Sequence, residues 1–160
     1  MKKFCRIFAL LLVAVLLVSC GTGTKEFTCG DLTMTVPSYM RDVSGNADFS
    51  AFTFALDSTR IAVFGLEETY AEYPVLEDYT LEEYAELTLE ANGLDVLAKE
   101  RSTADYRYFD YTASVGTDTY RYLVGCYQTE DGFWTVQVCS LVTNFDLEAF
   151  LDYLDSVSFN

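Results

Sequence analysis

The chain has 160 residues, with 25 Asp/Glu against 10 Lys/Arg and no histidine, for a net charge of −15 at neutral pH. That balance excludes nucleic acid as a partner, because phosphate binding needs basic patches. The absence of histidine excludes Ser-His-Asp and Cys-His catalysis, the common zinc ligand and the usual near-neutral acid/base group.

Lys2, Lys3 and Arg6 lead into the twelve apolar residues Ile7 to Val18, which stop at Ser19-Cys20-Gly21. A membrane-spanning helix needs roughly 20 residues, so the stretch reads as the h-region of a secretory signal. The run Leu16-Leu17-Val18-Ser19-Cys20 resembles the lipobox of bacterial lipoproteins. The resemblance implies a signal peptide over residues 1–19, cleavage before Cys20 and diacylglyceryl on its sulfur. The protein would then sit lipid-anchored on the extracytoplasmic face of the cell membrane, stably so with two or more acyl chains. Loss of the signal removes three basic residues and no acids, which leaves seven Lys/Arg against 25 Asp/Glu, a net charge near −18. Such a surface argues against the domain lying flat on anionic lipid. Residues 20–26 form the lipidated cysteine and a short tether, which reaches no more than roughly 20 Å. Residues 27–160 are long enough for one domain with its own core.

Phe27 to Val36 predicts a hairpin around Gly30-Asp31, with Phe27, Cys29, Leu32, Met34 and Val36 on one face and the threonines on the other. Pro37 ends it. Residues 41–48 read as loop. Ala51 to Leu56 and Arg60 to Leu66 predict a second hairpin around Asp57-Ser58-Thr59, and Glu67 to Tyr79 reads as loop. Thr80-Leu81-Glu82-Glu83 is a capping box that opens a helix ending at Asn92, with Gly93 as its stop. Its expected inward stripe is Leu81, Tyr84, Leu87, Thr88 and Ala91, with Glu82, Glu86 and Glu90 on the other side.

Strands are expected over Leu94 to Lys99, Arg107 to Val115, Thr119 to Thr129 and Trp134 to Val142. A two-residue turn at Gly116-Thr117 pairs Tyr111 with Tyr122 and Phe109 with Val124, leaving Asp110 and Arg121 on the opposite face. A three-residue turn Asp131-Gly132-Phe133 pairs Cys126 with Val138 and Gln128 with Val136. That choice gathers Trp134, Val136 and Val138 onto the face of Tyr122, Val124 and Cys126, and the alternative with Thr135 and Gln137 on that face is rejected. Asp146 to Ser156 predicts a helix capped by Asn144 or Asp146, with Leu147, Phe150, Leu151 and Leu154 inward. Antiparallel strands with a central and a C-terminal helix packed on them make an α+β class.

The order of these pieces resembles the PsbP-like domain, named for an extrinsic photosystem II subunit and shared by small bacterial lipoproteins. It comprises a strand ending in Val36-Pro37, a hairpin, the Thr80-Leu-Glu-Glu-Tyr-Ala helix, the Tyr108-Phe-Asp-Tyr and Tyr120-Arg-Tyr strands, Gly132-Phe-Trp-Thr-Val, and the ending Phe150 to Phe159. The resemblance implies an α/β/α sandwich and a binding or scaffolding role, with no catalytic residue set and no cofactor to carry over.

Three cysteines remain beyond Cys20. The registers place Cys29 and Cys126 inward and Cys139 on the other face, which forbids a Cys126–Cys139 bridge. Buried, redox-inert thiols are expected, with a Cys29–Cys126 bridge as the alternative if those strands are neighbours. Ile61 to Ala98 holds ten acidic residues and no basic one. Glu82, Glu86 and Glu90, with Glu67 and Glu68, therefore form the expected surface for a protein partner of basic or mixed character. Tyr108 and Tyr127 are candidate exposed aromatics on the opposite sheet face. The leading expectation is a non-catalytic, protein-binding lipoprotein. The alternatives are a small-ligand or cation-binding sensor on the acidic, Tyr-rich surface, and a carboxylate-based hydrolase. No EF-hand spacing supports a calcium loop, and no metal site is assigned.

Overall fold

The computed structural model describes residues 23–44, 51–56, 61–102 and 104–160. Cys20 and the signal segment lie outside the described residues, as do the Asp57-Ser58-Thr59 turn and residues 45–48. In chain order the strands are β1 (Thr24–Cys29), β2 (Leu32–Pro37), β3 (Arg41–Asp42), β4 (Phe52–Leu56) and β5 (Ile61–Thr69). Helix α1 (Leu81–Ala91) follows, then β6 (Lys99–Glu100), β7 (Arg107–Val115), β8 (Asp118–Gln128) and β9 (Gly132–Leu141). Helix α2 (Leu147–Asp155) and β10 (Ser158–Phe159) end the chain.

The architecture is α+β. An antiparallel seven-stranded sheet, ordered β3-β4-β5-β9-β8-β7-β6, is joined by a three-stranded sheet, β1-β2-β10. The first hairpin pairs as its pattern predicts, Phe27 with Met34 and Cys29 with Leu32. One face of the large sheet packs on the small sheet and α2, burying Trp134, Val136, Val138, Leu123 and Tyr127 with Leu32, Met34, Phe150 and Leu154. The other face packs on α1 and the turn Pro74–Asp78, burying Phe109, Val124, Cys126 and Phe133 with Tyr84, Ala85 and Leu89.

Helix α1 begins where the capping box puts it. Glu83 N–H donates to the Thr80 hydroxyl at 3.3 Å, and Thr80 N–H donates to the Glu83 carboxylate at 2.8 Å. The Thr80 N–H, and after it the Thr80 hydroxyl, which donates to the same carboxylate at 2.8 Å, hold the Glu83 carboxyl below its ordinary range. It ends at Gly93, whose φ of +65° lets Leu94 N–H reach the Leu89 carbonyl at 3.0 Å. Helix α2 is capped by Asp146, which accepts from Ala149 N–H at 3.2 Å, and buries Phe150, Leu151 and Leu154 as expected. Its last turn is tied to the sheet through Asp155, which takes Arg101 Nη2 at 2.6 Å and the Tyr106 hydroxyl at 2.8 Å. The Arg101 hydrogen bond, then that of Tyr106, hold the Asp155 carboxyl below its ordinary range.

Several expectations are corrected. Glu67 to Thr69 continues β5 along β9 instead of starting a loop. Leu94 to Ala98 is not a strand; only Lys99 and Glu100 pair with β7. The buried stripe of α1 is Tyr84, Ala85 and Leu89, and Ala91 is exposed. The helix is rotated so that Ala85 touches the sheet, where a small side chain permits close approach.

The β7–β8 register is the predicted one, Tyr111 opposite Tyr122 and Phe109 opposite Val124. Arg121 Nη2 meets Asp110 Oδ2 at 2.6 Å on the opposite face. The β8–β9 register differs. Gln128 pairs with Phe133 and Cys126 with Thr135, with Thr129 N–H bonded to the Gly132 carbonyl at 2.9 Å across Glu130-Asp131. Val136 and Val138 therefore lie opposite Gly125 and Leu123, on the face of Tyr127, not that of Val124. The expectation assumed one apolar face. Thr135 and Gln137 instead share the face of Cys126 and Val124, the placement that polarity rejected. A core lies on each face of these strands, so a polar pair does not mark a solvent face and polarity does not select the register.

The same shift places Cys139 opposite Tyr122, on the face of Cys126. The two thiols stay unbridged because Cys126 pairs with Thr135, four residues from Cys139, about 13 Å along the strand. Cys29 packs in the core beside Trp134 and Cys126 in that beside α1, so these strands are not neighbours either. All three are free thiols. Burial pushes Cys126 up to about 12 and Cys139 up to about 11, which keeps both protonated and inert.

Candidate functional site

Glu82, Glu86 and Glu90 recur every fourth residue of α1 and project from its exposed side. Because Leu94 to Ala98 does not join the sheet, that segment runs beside the helix and leaves a groove of about 580 Å³ between them. Glu82, Glu86 and Glu90 form one lip. Leu94, Val96, Leu97 and Ala98 form the other, and Leu89 and Arg107 complete the lining. Leu97 is 84% exposed and Val96 40%. Exposed branched aliphatics thus face an acidic lip across the groove.

The charges within the groove are unequal. Arg107 Nη1 lies 3.1 Å from Glu100 and Nη2 lies 3.6 Å from Glu82, so the first glutamate of the row is partly compensated. Glu86 and Glu90 have no ion-pair partner among the described residues. The groove thus offers two uncompensated carboxylates above an apolar floor. Among the described residues, no three His, Cys, Asp or Glu side chains converge as a metal-holding group.

Glu67 and Glu68 do not belong to this row. They alternate across β5, and Glu67 packs toward Trp134, its strand partner. Burial first, then Asp31, Glu72 and Asp131, raise the Glu67 carboxyl above its ordinary value. Glu68 points to the α1 side and accepts the Tyr84 hydroxyl. Burial and that hydrogen bond hold Tyr84 well above the usual phenol range. The candidate exposed aromatics are also relocated. Tyr127 is buried, its hydroxyl donating to the Leu154 carbonyl at 2.9 Å, and Tyr108 is half-buried with Lys99 Nζ 5.8 Å from its ring centre. A second layer, α2 and the small sheet, covers the face on which they lie. The residues missed by sequence reasoning are Val96 and Leu97. Sequence reading places them inside a strand, and only the pairing of β7, which takes Lys99 and Glu100 alone, leaves them out of the sheet.

No family model matches the chain, and no curated protein matches it. Among solved structures, a protein from Bacteroides thetaiotaomicron VPI-5482 is similar at a TM-score of 0.58 and 10% identity. The match covers 85% of this chain and 48% of that one, so this chain spans about half the neighbour's length. At that identity the likeness carries the fold alone. No helix among the described residues is long and apolar enough to cross a membrane.

Proposed function

We propose that this chain is a membrane-anchored extracytoplasmic lipoprotein whose PsbP-like domain docks a basic protein segment beside α1, without catalysis. The carrying observation is the groove itself: uncompensated Glu86 and Glu90 facing exposed Val96 and Leu97 in a chain of net charge −15. The field of so acidic a protein speeds encounter with a basic partner, and paired lip charges set its orientation. Burial of Leu97 then supplies about 1.5–3 kcal/mol of apolar contact. Anchoring rests on the lipobox resemblance around Cys20, and the PsbP-like assignment rests on element order. The proposed tether is short, so the groove stays near the membrane surface.

Charge and apolar contact separate in a binding measurement with a fluorescent amphipathic Lys/Leu peptide. Glu86→Lys turns two i, i+4 repulsions into attractions and should stabilise the free protein by a few tenths of a kcal/mol. It should also weaken peptide binding several-fold, more at low salt than at high. Leu97→Asp adds negative charge but removes the apolar anchor. It weakens binding if the peptide occupies the groove and strengthens it if only net charge matters. Unchanged binding by Glu86→Lys sinks the docking proposal. For the anchor, Cys20→Ala should abolish metabolic labelling with a tritiated fatty acid and release the protein from membranes. A variant still labelled and retained there would refute the lipid attachment.

A further inference from the structure

On the far side of α1 from the docking groove lies a second cleft, of about 400 Å³, between the helix and strands β5 and β9. Its walls include Leu66, Leu87 and Ala91, and its polar lining includes Glu68, Thr135 and Gln137. Thr135 is 97% buried by its 3% relative exposure, yet its hydroxyl has no hydrogen-bond partner among the described residues. The half-buried side-chain amide of Gln137 also lacks one. A buried polar group without a partner costs free energy, so two of them lining one cleft point to something that completes them.

The surroundings narrow what that is. Glu68 is the sole charged side chain lining the cleft, and one of its oxygens is already taken by the Tyr84 hydroxyl. Beyond α1 no helix among the described residues packs on the same sheet face across β5, β9, β8 and β7, and Tyr111, Tyr120 and Tyr122 stand half-buried there. Past Arg107, which pairs with Glu82 and Glu100 on the groove side of α1, register places no charged side chain on it until Asp118. In their place stands a tyrosine row: Tyr111 and Tyr122 stack at 5.0 Å and 8°, with Tyr120 6.5 Å from Tyr122. An uncharged, aromatic surface on so acidic a chain fits neither a cation nor an anion. From strand spacing its extent is on the order of 200–300 Å². That is well short of the roughly 800 Å² per partner of a stable protein interface, which argues against a second copy.

We infer that this cleft and the tyrosine row beside it bind a neutral carbohydrate. Sugar hydroxyls supply both donors and acceptors for Thr135, Gln137 and the free oxygen of Glu68. Sugar C–H faces lie against Leu66 and the half-buried tyrosine rings, whose hydroxyl tips remain polar. The site is separate from the docking groove, and its inference stands without the docking reading.

The test uses the full chain, nitrogen-15 labelled and held in detergent, with maltotriose, xylotriose and chitotriose at millimolar concentration and spermidine as the cationic control. At least one sugar should shift the Gln137 side-chain amide and the Thr135 backbone amide. Thr135→Val should weaken that sugar by about tenfold while raising Tm, because it removes an unpartnered buried hydroxyl. A merely structural hydroxyl would lower Tm instead, and that outcome overturns the inference. Gln137→Ala provides a second variant on a half-buried position, with weaker binding expected and Tm little changed. No shift with any of the three sugars overturns the inference, as does a shift with spermidine alone. Concentration-dependent shifts at these amides without sugar would assign the face to a second copy and equally overturn it.

Discussion

Trp134→Ala is expected to lower the unfolding free energy by about 3–5 kcal/mol, the range for emptying a large aromatic site in a packed core. Trp134 is fully buried on β9, its ring 6.3 Å from that of Phe52, and its indole N–H donates to Asp31 at 3.2 Å. That hydrogen bond links the large sheet to the β1–β2 turn, so the substitution opens a cavity and also loosens the contact between the two sheets. Urea unfolding should show the midpoint falling with little change in slope. Trp134→Phe, which keeps much of the ring volume but loses the donor, should cost visibly less. A loss below about 1 kcal/mol for the alanine variant would mean that the core closes over the vacated site, contrary to the usual incomplete relaxation of packed interiors.

Gly132→Ala should cost about 3 kcal/mol, although it adds a single methyl group. A Cβ at Gly132 would stand 2.3 Å from the Glu68 carbonyl oxygen and 2.8 Å from the Thr69 Cα, both backbone atoms of the paired strand β5. Neither can rotate away, so the end of the β5–β9 ladder has to separate. Gly116→Ala provides the control. Nothing lies within 4 Å of a Cβ there, and its φ of +64° alone should cost about 1 kcal/mol. Thermal unfolding of the two variants side by side checks the difference. Equal losses would show that backbone conformation, and not the close approach of β5, sets the requirement for glycine at position 132.

Where the sequence carried a local signal, the element followed it. The Thr80–Glu83 capping box and Gly93 delimit α1 because they satisfy backbone groups within a few residues of themselves. Gly30-Asp31 and Gly116-Thr117 set their hairpin registers for a similar reason, since alternation across each turn left one consistent pairing. The β8–β9 register was not legible, because Trp134, Val136 and Val138 are matched by the buried Phe133, Thr135 and Cys139 on the alternate positions. With a core on each face, the turn hydrogen bond from Thr129 to Gly132 and the pairing with β5 decide the register, and the latter lies about seventy residues away in the chain.

The candidate surfaces divide in the same way. Composition alone determined that the chain is strongly acidic, lacks histidine chemistry and carries a row of glutamates on one helix face. Helical periodicity is intrinsic to the backbone and does not depend on what packs nearby. Only the tertiary structure decided that Glu67 and Glu68 leave that row, that Tyr127 is covered by α2, and that Val96 and Leu97 stand exposed across from Glu86 and Glu90. Each of these depends on which element covers which sheet face. That is settled by long-range burial of apolar area, to which a residue's neighbours in the chain contribute little.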